Sequence, residues 1–366
     1  MLDMGAPEAS FGSRGPRGEV LLAIETSAQQ VFARTALETG LIAESPKKRK
    51  VLAAVFAALG GLRSERLEQA HLVLAARYPD YRPESLMRAL QERRTLVRTW
   101  GVRGELQILP TSQLGLFLAA SAISAPRWRR FLDARSNLAT PARLRLLKRL
   151  CPETISRDAL RDAFPDPTTR LFMLREAAQA GLIVWKDGDG AQSTFAWTQS
   201  WLGREIEPER DLTELVGRYL TSFGPLGAPD LAAWLGVTVA AARTLMAKHR
   251  VEEVHVEGEE TPTFMKPEDL ESLIQTRKSL ARGYVVVPAG DPILSAYRFR
   301  YQRPEGEESD QGLVFLDGRP VAAWTLDQDR IDVRELDGLQ HPKARKAVLQ
   351  VVHRAGITAA QVESGS

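Results

Sequence analysis

The chain holds a single cysteine, Cys151, so it can neither close an internal disulfide nor build a thiolate metal cluster. That economy suits a reducing cytoplasm. The five histidines, His71, His249, His255, His341 and His353, are scattered without the spacing of a zinc site. No metal is therefore expected. No apolar run approaches the roughly 18 residues of a membrane span. The first stretch, MLDMGAPEASFGSRGPRGE, has no apolar core of the kind a signal peptide needs and reads as a disordered lead-in over residues 1–18. What is there is ordinary for a soluble globular protein, with 44% hydrophobic and 26% charged residues. A length of 366 residues suits two to four domains.

Charge is distributed unevenly. Residues 88–103 carry five Arg against one Glu, and residues 127–149 carry eight Lys and Arg against one Asp. Residues 252–271 reverse this, with eight Asp and Glu against Lys266. One part of the molecule attracts polyanions and another repels them. The run Pro46-Lys-Lys-Arg-Lys-Val51 looks like a nuclear import signal, but such runs are common by chance. It is read as the basic entry to a helix.

The pattern along the chain predicts three helix–hairpin units and a β-rich end. In residues 19–135, helices are expected around 26–40, 49–59, 64–77 and 83–95, followed by a β pair with TLVRTWGVRG and ELQILP as its arms. In residues 136–204, TPARLRLLKRLCPE is a helix with Thr140 as N-cap, ISRDALRDAF a second and DPTTRLFMLREAAQAGL a third capped by Asp166. A hairpin turning at Asp187-Gly-Asp-Gly190 follows. Residues 205–280 repeat that order, with Gly236 closing the middle helix and a turn at Glu257-Gly258. Three helices and a hairpin form the winged-helix pattern. Residues 281–358 hold short β-rich runs with a tight turn at Asp317-Gly318, then the helix HPKARKAVLQVVHRAG, and 359–366 form a tail. The fold class expected is mainly α with β wings: tandem winged-helix domains followed by a C-terminal β-barrel-like domain.

Five blocks, GGLRSERLEQAHLVLAARYP, TWGVRGELQILP, YLTSFGPLGAPDLAAWLGV, VVPAGDPIL and GLVFLDGRPVAAW, occur in the order seen in the winged-helix DNA glycosylases typified by AlkZ and YcaQ. The chain resembles that family over roughly residues 20–358. The resemblance implies a DNA-binding cleft, excision of alkylated purines including N7-alkylated guanine, unhooking of some cross-links, and no metal or organic cofactor. It also suits a bacterial, nucleoid-associated protein, and makes the import-like run coincidental.

The family's signature after Gly-Leu is Gln-x-Gln or Gln-x-Asp. Arg63 and Glu65 stand at those positions. A second family block, Arg-Gly-Thr-Leu-His, is here Arg103-Gly104-Glu105-Leu106-Gln107. Glu65, with Arg63, is the candidate catalytic pair. A carboxylate near C1′ could stabilise an oxocarbenium-like sugar and orient water, although a cation beside that charge opposes it. The alternative makes the two a solvated turn pair in a protein that binds DNA without releasing a base.

Candidate DNA contacts are Arg98, Trp100, Arg103, Gln107, Arg143, Arg145, Lys148 and Arg149. The charges of helix 140–150 are expected outward, with Leu144, Leu146, Leu147 and Leu150 inward. Trp100 could stack on a base or pack a wing, and His71 has a site role or a helix-face role. Asp291-Pro292 and Trp324 read as structural. The expected partner is double-stranded DNA, damaged or distorted, with no membrane. The acidic wing Glu252–Glu260 would repel phosphate and suits a scaffold or a protein partner. A protein-interaction module and a transcriptional regulator remain open as other classes.

Overall fold

A computed structural model describes residues 24–45, 47, 49–136, 138–209, 211–297, 300, 311–358 and 361–364. The expected lead-in, residues 46 and 48 of the basic run, and most of the polar loop after Tyr297 lie outside the described residues.

The chain enters through β1 (Ile24–Thr26) and the helix Ala28–Glu38, which Ser27 caps by accepting from the amide of Gln30 at 3.3 Å. The helix Leu52–Ala58 follows and ends at two glycines. The next residues are a strand, β2 (Leu62–Arg63), and only then comes the helix Leu67–Arg77. The helix expected at 83–95 is split into Pro83–Met87 and a single wide turn, Arg88–Glu92. The strands β3 (Leu96–Trp100) and β4 (Leu106–Pro110) form the expected pair, and β2 adds to it, giving the antiparallel order β2-β4-β3.

The second segment departs from expectation in two places. The helix Thr140–Leu150 is entered from Ala139, not capped by Thr140; the Thr140 hydroxyl instead donates to Glu176 at 2.7 Å. ISRDALRDAF is not a helix. It forms β5 (Thr154–Ser156) and a run of turns over 157–163. The backbone of β5 is satisfied across the sheet, with Thr154 opposite Ala196 and Ile155 opposite Phe195, a partner distant in sequence that local helix propensity does not register. Asp166 does cap the helix Pro167–Gln179, and β6 (Ile183–Asp187) and β7 (Thr194–Trp197) complete the sheet β5-β7-β6.

In the third segment the helices Thr213–Phe223, Ala228–Leu235 and Val239–Met246 precede the antiparallel pair β8 (Glu252–Val256) and β9 (Thr263–Met265). Gly236 is left-handed at φ 71°, as a helix stop requires. β1 joins β8 in parallel, Ile24 opposite Val254, tying the start of the described chain to this hairpin.

The last segment carries β10 (Tyr284–Val287), β11 (Gly312–Leu316), β12 (Arg319–Asp327), β13 (Arg330–Glu335) and β14 (Gln361–Ser364). They hydrogen-bond in that order, with only the β13–β14 pair parallel. The expected barrel is therefore corrected to an open sheet: among the described residues β10 and β14 do not pair. The helix Pro342–Arg354 packs on β10 and on the helix Leu67–Arg77. With that apolar face covered, the sheet buries its side chains without closing.

Two large cores run across these segments. One joins Phe32, Phe117, Tyr219, Phe223 and Phe315. The other joins Phe56, Leu62, Trp100, Leu147, Phe195, Trp324 and Val348. A fully buried ion pair, Arg77 with Asp291 at 2.5 Å, fastens the first segment to the last. Among the described residues no helix is long and apolar enough to cross a membrane.

Candidate active site

GGLRSER begins where the helix Leu52–Ala58 stops. Gly60 and Gly61 have φ of 67° and 84°, a region L side chains rarely adopt. Space forbids a side chain as well: a Cβ on Gly61 would lie 2.6 Å from Leu109, and one on Gly60 3.0 Å from the Trp234 ring. That ring is stacked on Tyr219 with centroids 3.7 Å apart. The glycines thus let the chain turn flat against the third segment and enter the sheet.

From there the strand period of two sorts the side chains. Leu62 and Ser64 are buried, while Arg63 and Glu65 face solvent. The Ser64 amide donates to the Leu106 carbonyl at 2.8 Å, extending the pairing by one residue. Arg63 and Glu65 pair at 3.1 Å with side-chain exposures of 45% and 61%. GGLRSER is therefore an edge strand with two charges displayed outward, and not a simple turn between helices.

Arg98 holds this strand from beneath. It is 0% exposed. Its Nε and Nη2 donate to the Ser64 carbonyl at 2.9 and 2.7 Å, and Nη2 also donates to the Glu65 carbonyl at 2.8 Å. Nη1 donates to Asp189 at 2.6 Å, from the β6–β7 turn. The guanidinium lies 5.2 Å from the Trp185 ring centre. Burial lowers the Arg98 pKa, and the Asp189 carboxylate opposes that. Arg98 was expected on phosphate; every direction of its fork is taken up inside the protein instead.

The other expected DNA contacts divide in the same way. Trp100 is buried and stacked on Phe195 at 5.4 Å, so it packs the core. Gln107 lies opposite Arg63 in the sheet, but its buried Oε1 accepts from the Val102 amide at 2.9 Å. Arg143 is 1% exposed, bonding Glu176 at 2.7 and 2.8 Å, and so corrects the expectation that every charge on its helix points outward. Leu147 faces inward as expected, whereas Leu150 is exposed. Arg145 and Arg149 are exposed. Lys148 is exposed too, above the Trp197 ring at 4.2 Å. Arg103 is half exposed, left-handed at φ 60°, and pairs with Glu105 at 3.0 Å. His71 Nδ1 is 2.7 Å from the Tyr81 hydroxyl, and burial lowers its pKa, which Asp189 and Glu84 oppose, so the ring is neutral near pH 7. Trp324 is buried in the second core, and Asp291 caps a short helix while pairing with Arg77, so both are structural as expected.

Sequence reasoning missed Asp189 as the outer anchor of the Arg98 clamp, because a turn aspartate carries no mark of its distant partner. Among the described residues no group of three or more His, Cys, Asp or Glu could hold a metal ion.

The fold is similar to that of the Streptomyces sahachiroi DNA glycosylase AlkZ, with a TM-score of 0.74 and 22% sequence identity over 93% of this chain and 100% of that one. A family model described as DNA glycosylase AlkZ-like matches residues 56–357, and the chain belongs to that family. Membership makes it a DNA-binding, repair-glycosylase-like protein. No curated protein matches the chain.

Proposed function

We propose that the protein releases alkylated purines from duplex DNA, with Glu65 as the carboxylate at C1′. An N7-alkylated guanine is cationic and its glycosidic bond is already weak. Catalysis then needs little more than a negative group near the sugar to stabilise the oxocarbenium-like centre and to hold water on its far face. The observation that carries this reading is the clamp. Arg98 fixes the backbone on which Glu65 stands, while the carboxylate itself stays 61% exposed. Positioning of this kind matters because a displacement of about 1 Å can cost on the order of 100-fold in rate.

The Arg63–Glu65 pair is compatible with it. An ion pair this exposed is worth less than about 1 kcal/mol. A DNA phosphate can therefore take Arg63 and leave Glu65 facing the sugar. The same pair supports a second reading, in which it persists on DNA and the protein binds lesions without cutting.

The test is release of base from a duplex carrying one N7-methylguanine, scored as alkali-labile abasic sites. Release by the wild type, lowered by roughly 100-fold or more in Glu65→Ala with duplex affinity retained, supports catalysis. Tight, salt-sensitive binding with no release by the wild type establishes the second reading.

A further inference from the structure

Arg175 lies near the Glu65 carboxylate and Arg157 lies near Arg175, and neither has a counter-ion among the described residues. Arg157 lies in the turns after β5, and Arg175 lies on the helix Pro167–Gln179, which packs on β3, the strand that carries Arg98. Neither guanidinium makes a hydrogen bond or an ion pair with the described residues, and the Nε atoms of both are buried without a partner. The Nε of Arg170, on the same helix, is likewise orphaned, although its Nη1 donates to the carbonyls of Phe164 and Pro165, each at 2.7 Å.

The surrounding charges do not resolve the imbalance. Glu65 and Glu105 are the carboxylates felt at Arg175, and each already pairs with another arginine, Glu65 with Arg63 and Glu105 with Arg103. Arg157 adds positive charge at Arg175, and Arg170 adds it at Arg157. Burial lowers the pKa of both Arg157 and Arg175, and the neighbouring cations, Arg170 for the first and Arg157 for the second, act in the same direction. Half-buried cations with orphaned donors are costly in a free protein. The cost is recovered when an anion with several acceptor oxygens arrives, and the planar fork of arginine matches a phosphodiester.

We propose that Arg157 and Arg175 hold a DNA backbone phosphate next to the Arg63–Glu65 edge and act as positioning residues for the lesion. The proposal rests on the reading that duplex DNA lies across this edge, and it does not require that a base be cut. It places the phosphate contact on the second segment's turn and on the helix Pro167–Gln179, rather than on the exposed charges of the helix Thr140–Leu150. It also supplies the charge that Arg98 and Arg143, both engaged internally, do not.

The experiment measures affinity for a duplex with one N7-methylguanine, and for the same duplex undamaged, across a salt series. All proteins are full-length and carry Glu65→Ala, so that the lesion stays intact. Arg157→Met and Arg175→Met are each expected to weaken both duplexes by about tenfold or more and to lower the slope of log affinity against log salt by roughly 0.9. Arg175→Lys keeps the charge and retains most of the slope. Thermal unfolding separates this from a structural role: removal of an uncompensated half-buried cation leaves the Tm unchanged or higher. Wild-type affinity and slope in both Met variants would overturn the proposal. So would weakened binding with an unchanged slope and a lowered Tm. Base release by the protein with Glu65 intact is assayed separately, so its absence alongside reduced slopes refutes catalysis and leaves the phosphate site standing.

Discussion

Replacing Arg98 with Ala tests the clamp most directly. The change removes the donors to the Ser64 and Glu65 carbonyls and the partner of Asp189. A buried acceptor deprived of its donor costs about 1–3 kcal/mol. Asp189 is 45% exposed, and its half of the ion pair is worth less than about 1 kcal/mol. Against these losses, taking away a buried cation refunds part of its desolvation. The net destabilisation is expected to be about 3 kcal/mol, a fall in Tm of about 5 °C. Its local signature is sharper. The Ser64 amide, bonded to Leu106, should lose protection from hydrogen exchange, because the edge strand then depends on β4 alone. Arg98→Lys restores one donor and the charge but not the fork, so it should recover only part of the loss. Asp189→Asn, which keeps an acceptor at an exposed position, should change the Tm little. An Arg98→Ala protein with wild-type Tm and wild-type exchange across residues 60–66 would refute the reasoning, since the edge would then be held by the sheet alone.

Arg143 and Arg145 should behave oppositely although they stand two residues apart. Arg143→Ala strands Glu176, buried to the same degree, and should cost about 3–5 kcal/mol in thermal or urea unfolding; Arg145→Ala should leave stability unchanged within about 0.5 kcal/mol. Asp230 gives a pH dependence. Burial pushes its pKa up to about 6, against a hydrogen bond from the Gly227 amide and the nearby Arg300, with Glu259 acting in the same direction as burial. The folded state therefore binds this proton more tightly than the unfolded chain, whose aspartate titrates near about 4. Stability from this group is present at acid pH, falls as pH rises from about 4 to about 6, and stays lower above that. Asp230→Asn should flatten that slope and raise the Tm at pH 7 but not at pH 4; parallel curves for the two proteins would contradict the burial argument.

Much of the local structure is legible because it rests on neighbours in the chain. Asp166, Gly236 and Asp317-Gly318 act within a few residues of themselves, and each does in the structure what its type suggests. ISRDALRDAF misleads for the opposite reason, since its first residues are held by β7 some forty positions away. Charge misleads likewise. Arg98, Arg143 and Arg145 look alike as letters, yet the first two find carbonyls or a carboxylate more than thirty residues distant, while Arg145 finds solvent.

The family was determined by the sequence alone, because blocks of local pattern carry it, and one of those blocks holds the Arg63-Ser64-Glu65 step. Only the tertiary structure decided that this step is an edge strand, that Arg98 secures it, that the terminal sheet stays open among the described residues, and that Arg157 and Arg175 have no counter-ion among them. Those outcomes depend on which distant groups come within hydrogen-bonding distance of one another, and on how much water the packing leaves around each charge.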